Sequence, residues 1–273
     1  MANQIPVKKL LFVLVLATFQ FGVRAQNPAG GVIFGANIGT SKIFNEVTPD
    51  FKPIINEFNH QAGFIFEPEL SKLLGNHFEI GTSFGVSTLK GKTDNPQFSA
   101  EGHHPAMLDP ITEPVKYKTK LMGQKFYFGY YFRSFSKIDK SFKLEPFLRM
   151  GAGYFYYTSD FSYQDPALGT IFGKGVEGYT DLTTGVFFGT AGLKMYLNPK
   201  VFLNASYTFN YVRYDFLDAV HNYNAEGYRD RTTPDIRGIY SDIKFGIFYQ
   251  FGNRGVKSGK TGTPGAYLPF SKL

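Results

Sequence analysis

Ile239-Tyr240-Ser241-Asp242-Ile243-Lys244-Phe245-Gly246-Ile247-Phe248-Tyr249-Gln250-Phe251 is a stretch that alternates with a period of two. Ile239, Ile243, Phe245, Ile247, Tyr249 and Phe251 share one face of an extended chain, and Asp242, Lys244, Gly246 and Gln250 share the other. Successive side chains of a strand point to opposite faces, so a slip by one residue inverts the whole set and the register is fixed. The pattern recurs upstream. Val201, Leu203, Ala205, Tyr207 and Phe209 oppose Asn204, Ser206, Thr208 and Asn210, while Phe78, Ile80, Phe84 and Val86 oppose Glu79, Gly81, Ser83 and Gly85.

Working outward, period-two runs rich in aromatic and β-branched residues predict strands at about 31–39, 61–70, 77–90, 117–133, 143–158, 181–197, 200–214 and 236–251. Short turns at 71–76, 134–142 and 198–199 alternate with long connections at 40–60, 91–116, 159–180 and 215–235, rich in Gly, Pro, Asn and Asp. This rhythm predicts an all-β, antiparallel up-and-down β-barrel of eight strands, or of ten if 91–116 hides a hairpin.

Alternation does not say which face is inside. A soluble lipocalin-like barrel turns its apolar face inward; a transmembrane barrel turns it outward to lipid. The polar face here is rich in Gly, Ser, Thr and Asn, side chains small enough for a narrow eight-stranded lumen, which favours the transmembrane barrel. Aromatic clusters at Tyr154-Phe155-Tyr156-Tyr157 and from Phe126 to Phe132 are the expected interfacial girdles.

The two ends differ from the body. Lys8 and Lys9, an apolar run from Leu10 to Ala17, and Val23-Arg24-Ala25 before Gln26 form the pattern of a secretory signal peptide over 1–25. That run is shorter than the ~20 residues a spanning helix needs. Residues 26–251 make the barrel and 252–273 a flexible basic tail. With Lys8, Lys9 and Arg24 at one end and Arg254, Lys257, Lys260 and Lys272 at the other set aside, 22 basic side chains face 22 acidic ones. Positive charge at the ends without a basic body argues against nucleic acid. The absence of cysteine excludes disulfides and Cys-based metal sites.

By parity the inward charges are Glu67, Glu69, Glu79, Glu145 and Asp242 against Lys125, Arg133, Arg149, Lys194 and Lys244. Buried charges must be paired, so a balanced set predicts a plugged, cross-linked lumen in preference to a gated pore or proton path. In the tail, Tyr267, Leu268 and Phe270 form a small apolar cluster, a candidate docking peptide. In the loops, Tyr223, Tyr228, Arg229 and Arg231 are candidates for a glycan or peptide surface. His103 and His104 are too few to hold a metal alone. His221 with Asp215 or Asp218 is a weak candidate for a rim hydrolase. No nucleophile elbow, phosphate loop or metalloprotease motif is present, and no cofactor is expected.

The run Gly31-Val32-Ile33-Phe34-Gly35-Ala36-Asn37-Ile38-Gly39, the run Pro146-Phe147-Leu148-Arg149-Met150-Gly151-Ala152-Gly153-Tyr154, and Phe245 to Phe251 resemble small outer-membrane barrels of Bacteroidota, the PorT-like and OmpA-membrane-domain-like group. The resemblance covers 26–251 and supplies no active-site residues. It implies a bacterial outer-membrane protein with both termini in the periplasm and long loops outside. The expected partners are outer-membrane lipid and an envelope complex for secretion, assembly or uptake, reached through the tail or the loops; the expected role is structural or accessory, without catalysis.

Overall fold

The computed structural model describes residues 31–47, 58–74, 77–94, 112–132, 143–172, 181–198, 200–212, 217 and 237–251. The described residues form ten strands: β1 Val32–Val47, β2 Asn59–Gln61, β3 Gly63–Leu74, β4 Phe78–Thr93, β5 Val115–Tyr131, β6 Lys143–Tyr163, β7 Thr170–Phe172, β8 Asp181–Tyr196, β9 Val201–Val212 and β10 Arg237–Phe251. Eight of them form the wall, in the order β1-β3-β4-β5-β6-β8-β9-β10, and β10 pairs back onto β1 to close it. Every wall pairing is antiparallel. Closure leaves the wall no free edge. The remaining two strands, β2 on β4 and β7 on β6, are short additions at one end.

The expectation of a hairpin in 91–116 falls mostly on residues outside the described ones. β4 runs to Thr93 and β5 starts at Val115; residues 95–111 lie outside the described residues. The extra pair comes from connections that had read as loops. β1 also overruns its predicted end at Gly39 by continuing to Val47 along β10, with a register shift between Ile43 and Asn45. Ser41 and Ile43 stay inward while Thr40 and Lys42 stay outward. The alternation persists, but its apolar–polar contrast fades where the outer face turns polar. For the same reason β3 continues through Lys72 to Leu74, and β6 continues to Tyr163.

Two local features follow from single residues. Pro68 sits in the middle of a wall strand, and the β3–β4 ladder lapses between Phe66–Val86 and Glu69–Ser83, where Pro has no N–H to donate. The turn into β9 is held by Asn198, whose side-chain oxygen accepts from the N–H groups of Lys200 at 2.9 Å and Val201 at 2.8 Å. This is the local bonding that makes Asn a turn residue.

The faces are resolved by exposure. Outward on the eight wall strands stand Phe34, Ile38, Phe64, Ile80, Phe126, Leu148, Met150, Phe187, Phe209, Phe245 and Ile247, all exposed, with Met150 reaching 70%. A monomer in water rarely exposes a continuous apolar surface of that extent. The lipocalin arrangement is thereby overturned, because the apolar face is the outer one. Aromatic side chains gather at the turn end, where Phe78 and Phe128 stack at 5.3 Å, Tyr130 meets Phe132 at 5.0 Å, and Tyr249 meets Phe251 at 4.6 Å. Of the two clusters expected to form girdles, only part of each faces outward: Phe126, Phe128, Tyr130 and Phe132 of one, and Tyr154 and Tyr156 of the other. Phe155, Tyr157, Tyr127 and Tyr131 are buried inside, because alternation sends every second aromatic into the lumen.

Candidate functional site: the sealed lumen

The interior is layered along the barrel axis. At the turn end Ile33, Leu73, Tyr131, Phe147, Tyr196, Phe202 and Phe248 make one buried apolar cluster. At the opposite end Ile43, Leu89, Leu121, Phe155, Phe161, Val186, Val212 and Tyr240 belong to a second. The order along single strands fixes what lies between. On β10 the inward sequence is Phe248, Lys244, Asp242, Tyr240; on β1 it is Ile33, Asn37, Ser41, Ile43. Charged and polar side chains thus occupy the middle, with apolar layers on both sides.

The middle layer has two parts. In the first, Arg149 of β6 reaches Glu79 at 2.5 Å and Glu69 at 2.8 Å. Glu79 also accepts from Tyr131, lies 3.8 Å from Lys194, and accepts from Ser71 at 3.2 Å. Lys194 donates to the Tyr131 hydroxyl and stands 4.0 Å over the same ring. In the second, Lys244 meets Glu67 at 2.5 Å, and Lys125 lies 3.5 Å from Glu67 and 3.7 Å from Asp242. Asp242 accepts from Ser41 at 2.6 Å and from Asn210 at 2.8 Å. Asn37 extends the first part, donating to Glu69 at 2.5 Å and accepting from Asn204 at 3.1 Å. Glu145, nearer the turn end, accepts from Tyr196 at 2.8 Å.

Of the ten charges assigned to the lumen by parity, nine are described, and all nine are buried, none more than 7% exposed. Arg133 lies outside the described residues. The ion pairs join strands two to four places apart around the wall, so they act as cross-braces. A charge removed from water regains stability only through partners and hydrogen bonds of this kind. The hydroxyls and amides that complete the layer, Tyr131, Tyr127, Asn37, Asn210 and Ser41, were absent from the sequence-derived set. Their signal was there: they share the parity of the inward charges.

Both ends are stoppered by packing. Phe202 stacks on Phe248 at 5.3 Å with 7° between the rings, and Tyr196 closes on Phe202 at 5.1 Å. At the opposite end the seal includes side chains from outside the wall. Phe58, just before β2, meets Tyr117 edge-on at 5.1 Å, and Leu217 is buried in the same cluster. The Leu217 carbonyl accepts from Thr119 at 2.7 Å, which ties that segment into the barrel mouth.

His60 of β2 makes a 2.7 Å bond to the hydroxyl of Tyr117, the ring that Phe58 packs against. It lies opposite Gly91, beyond the apolar belt. Burial, and then the positive charge of Lys42, lower its pKa from 6.5 to about 4. The unfolded chain therefore binds the proton more readily between those values, so stability is full above pH 6.5 and is lost as pH falls toward 4. Hydrogen exchange should show protection of 58–61 declining between pH 7 and about 4.5, and His60→Gln should flatten that profile. Equal decline in the variant would detach the effect from His60.

Tyr223, Tyr228, Arg229 and Arg231, the tail residues Tyr267, Leu268 and Phe270, and the rim trio Asp215, Asp218 and His221 all lie outside the described residues. So do His103, His104, the segment 1–25 and the tail 252–273. No group of three or more metal-ligating side chains occurs among the described residues.

No protein-family model matches the chain, and no curated protein matches it. Among solved structures, the chain is similar to outer membrane protein OprG from Pseudomonas aeruginosa, with 10% identity, a TM-score of 0.44, and coverage of 82% of this chain and 96% of that one. It is also similar to Neisserial surface protein A, with 14% identity, a TM-score of 0.41, and coverage of 81% and 97%. A third is the outer membrane protease OmpT from Escherichia coli, with 10% identity, a TM-score of 0.37, and coverage of 81% and 97%. At that distance none of them carries an activity over to this chain.

Proposed function

We propose that this protein is a bacterial outer-membrane barrel that neither conducts nor catalyses, and that serves as a structural or accessory subunit of an envelope complex. The observation that supports it most is the combination of an apolar belt outside with buried apolar clusters at both ends of the lumen and buried charges between them. A closed barrel satisfies every backbone group between its strands, so it can cross hydrocarbon without a spanning helix. No described helix is long and apolar enough to cross. The turn end with its aromatic girdle is the periplasmic end in this reading, and the loops face outward. The resemblance to PorT-like and OmpA-membrane-domain-like barrels of Bacteroidota fits the same assignment. With the lumen blocked, work is left to the surfaces, and the tail 252–273 and the outer loops are the proposed docking elements.

Two readouts on one preparation test this. Full-length protein in planar bilayers should give no stable conductance, and a mild-detergent pull-down from native outer membranes should retain a stoichiometric envelope partner. A chain ending at Phe251 should fold and lose that partner. Steady single-channel currents would overturn the sealed lumen; no partner with either form would overturn the accessory role.

A further inference from the structure

β4 and β5 carry lysines directly above their apolar residues. Along the outward face of β5, Phe128, Phe126, Gln124 and Met122 give way to Lys120, Lys118 and Lys116; along β4, Ile80, Phe84 and Val86 give way through Thr88 to Lys90 and Lys92. The register sets Lys90 opposite Lys118 and Lys92 opposite Lys116, with Lys120 opposite Thr88. Lys90, Lys116, Lys118 and Lys120 are exposed, and Lys92 is half-buried.

Like charges directly opposite one another on neighbouring strands destabilise a sheet. Two such pairs in succession are therefore costly unless something anionic sits over them. The described residues provide little of it. Asp160 on β6 stands opposite Lys118, and Asp94 at the end of β4 accepts from Gln164, whose carbonyl takes Lys116 at 3.3 Å. Among the described residues no carboxylate forms an ion pair with any of the five lysines. No other pair of neighbouring wall strands sets lysine against lysine in the described registers.

The strip also has a fixed height. Lys120 follows Met122 by two residues, about 7 Å along a strand. Charge thus begins where the apolar belt ends. A soluble anion needs only the lysines; a lipid needs lysines and belt in register, which is the arrangement found. Five cations call for more than one phosphate on the same molecule.

We propose that the outward faces of β4 and β5 bind a multiply phosphorylated glycolipid of the outer leaflet. Its phosphates lie on Lys90, Lys92, Lys116, Lys118 and Lys120, and its acyl chains lie against Val86, Met122 and Phe126. This rests on the membrane-barrel reading above.

Full-length protein, reconstituted in phosphatidylcholine nanodiscs doped with diphosphoryl lipid A, tests it by native mass spectrometry. Each lysine near an anionic surface strengthens binding about fivefold, so exchanging all five for Gln should weaken lipid A retention by about 100-fold or more. Exchanging Lys72 and Lys200 at the other end should leave retention unchanged. Excess inorganic pyrophosphate should fail to displace the lipid, and phosphatidylglycerol at equal charge should be retained more weakly. Equal retention in the five-lysine variant would overturn the site. Full displacement by pyrophosphate, or equal retention of phosphatidylglycerol, would overturn the glycolipid assignment. Resistance to protease in nanodiscs reports insertion separately: failure there with unaltered protein would sink the membrane reading, whereas insertion without selective retention would sink only this inference.

Discussion

Arg149→Met should destabilise the barrel by about 3–5 kcal/mol, the range for removing one partner from a buried ion pair. The guanidinium lies between Glu79 and Glu69, at 2.5 Å and 2.8 Å, and also covers the rings of Tyr127 and Phe147 at 4.5 Å and 4.7 Å. Met fills much of the volume but leaves two buried carboxylates facing one another. The loss should appear as a lower urea midpoint in detergent micelles, followed by the mobility shift between folded and heated forms. A double variant with Glu69→Gln added should recover part of it, because Glu79 keeps Lys194 as a partner and a neutral amide costs far less to bury than an unpaired charge. If Arg149→Met alone unfolds no earlier than the parent, the network does not brace the wall.

Phe202→Ala should cost about 3–5 kcal/mol through the cavity it leaves. Phe202 is fully buried, with Phe248 stacked at 5.3 Å, Tyr196 at 5.1 Å and the Lys194 ammonium 4.7 Å above its ring. Its removal takes away packing and the π-face that helps hold a buried cation. Phe202→Leu should retain most of the stability, since it keeps the apolar volume better. The same urea titration reads both variants. An Ala variant as stable as the parent would show that the turn-end cluster collapses freely to refill the space.

How much of this was legible in the residues varies with the feature. Alternation through Asp242, Lys244, Gly246 and Gln250 named the inward face of the last strand, and those residues lie inside. The strand ends were less legible. Thr40 to Val47 and Ser159 to Tyr163 look like loop because their outer faces are polar, yet β1 and β6 run through them. β2 and β7, at three residues each, are too short to show a period at all.

By itself the sequence determined the antiparallel wall, the parity of each strand and hence which charges share a face, since a period of two is a local property of extended chain. Only the tertiary structure decided which face looks outward, for that depends on how the sheet curls. Only it decided the partners, too. Glu67 and Lys244 are 177 residues apart, and the barrel's closure through β1 and β10 brings them to 2.5 Å. The stoppers are of the same class. Phe58 and Leu217 carry no pattern that marks them, and they are buried at the mouth because the folded barrel offers an apolar surface there.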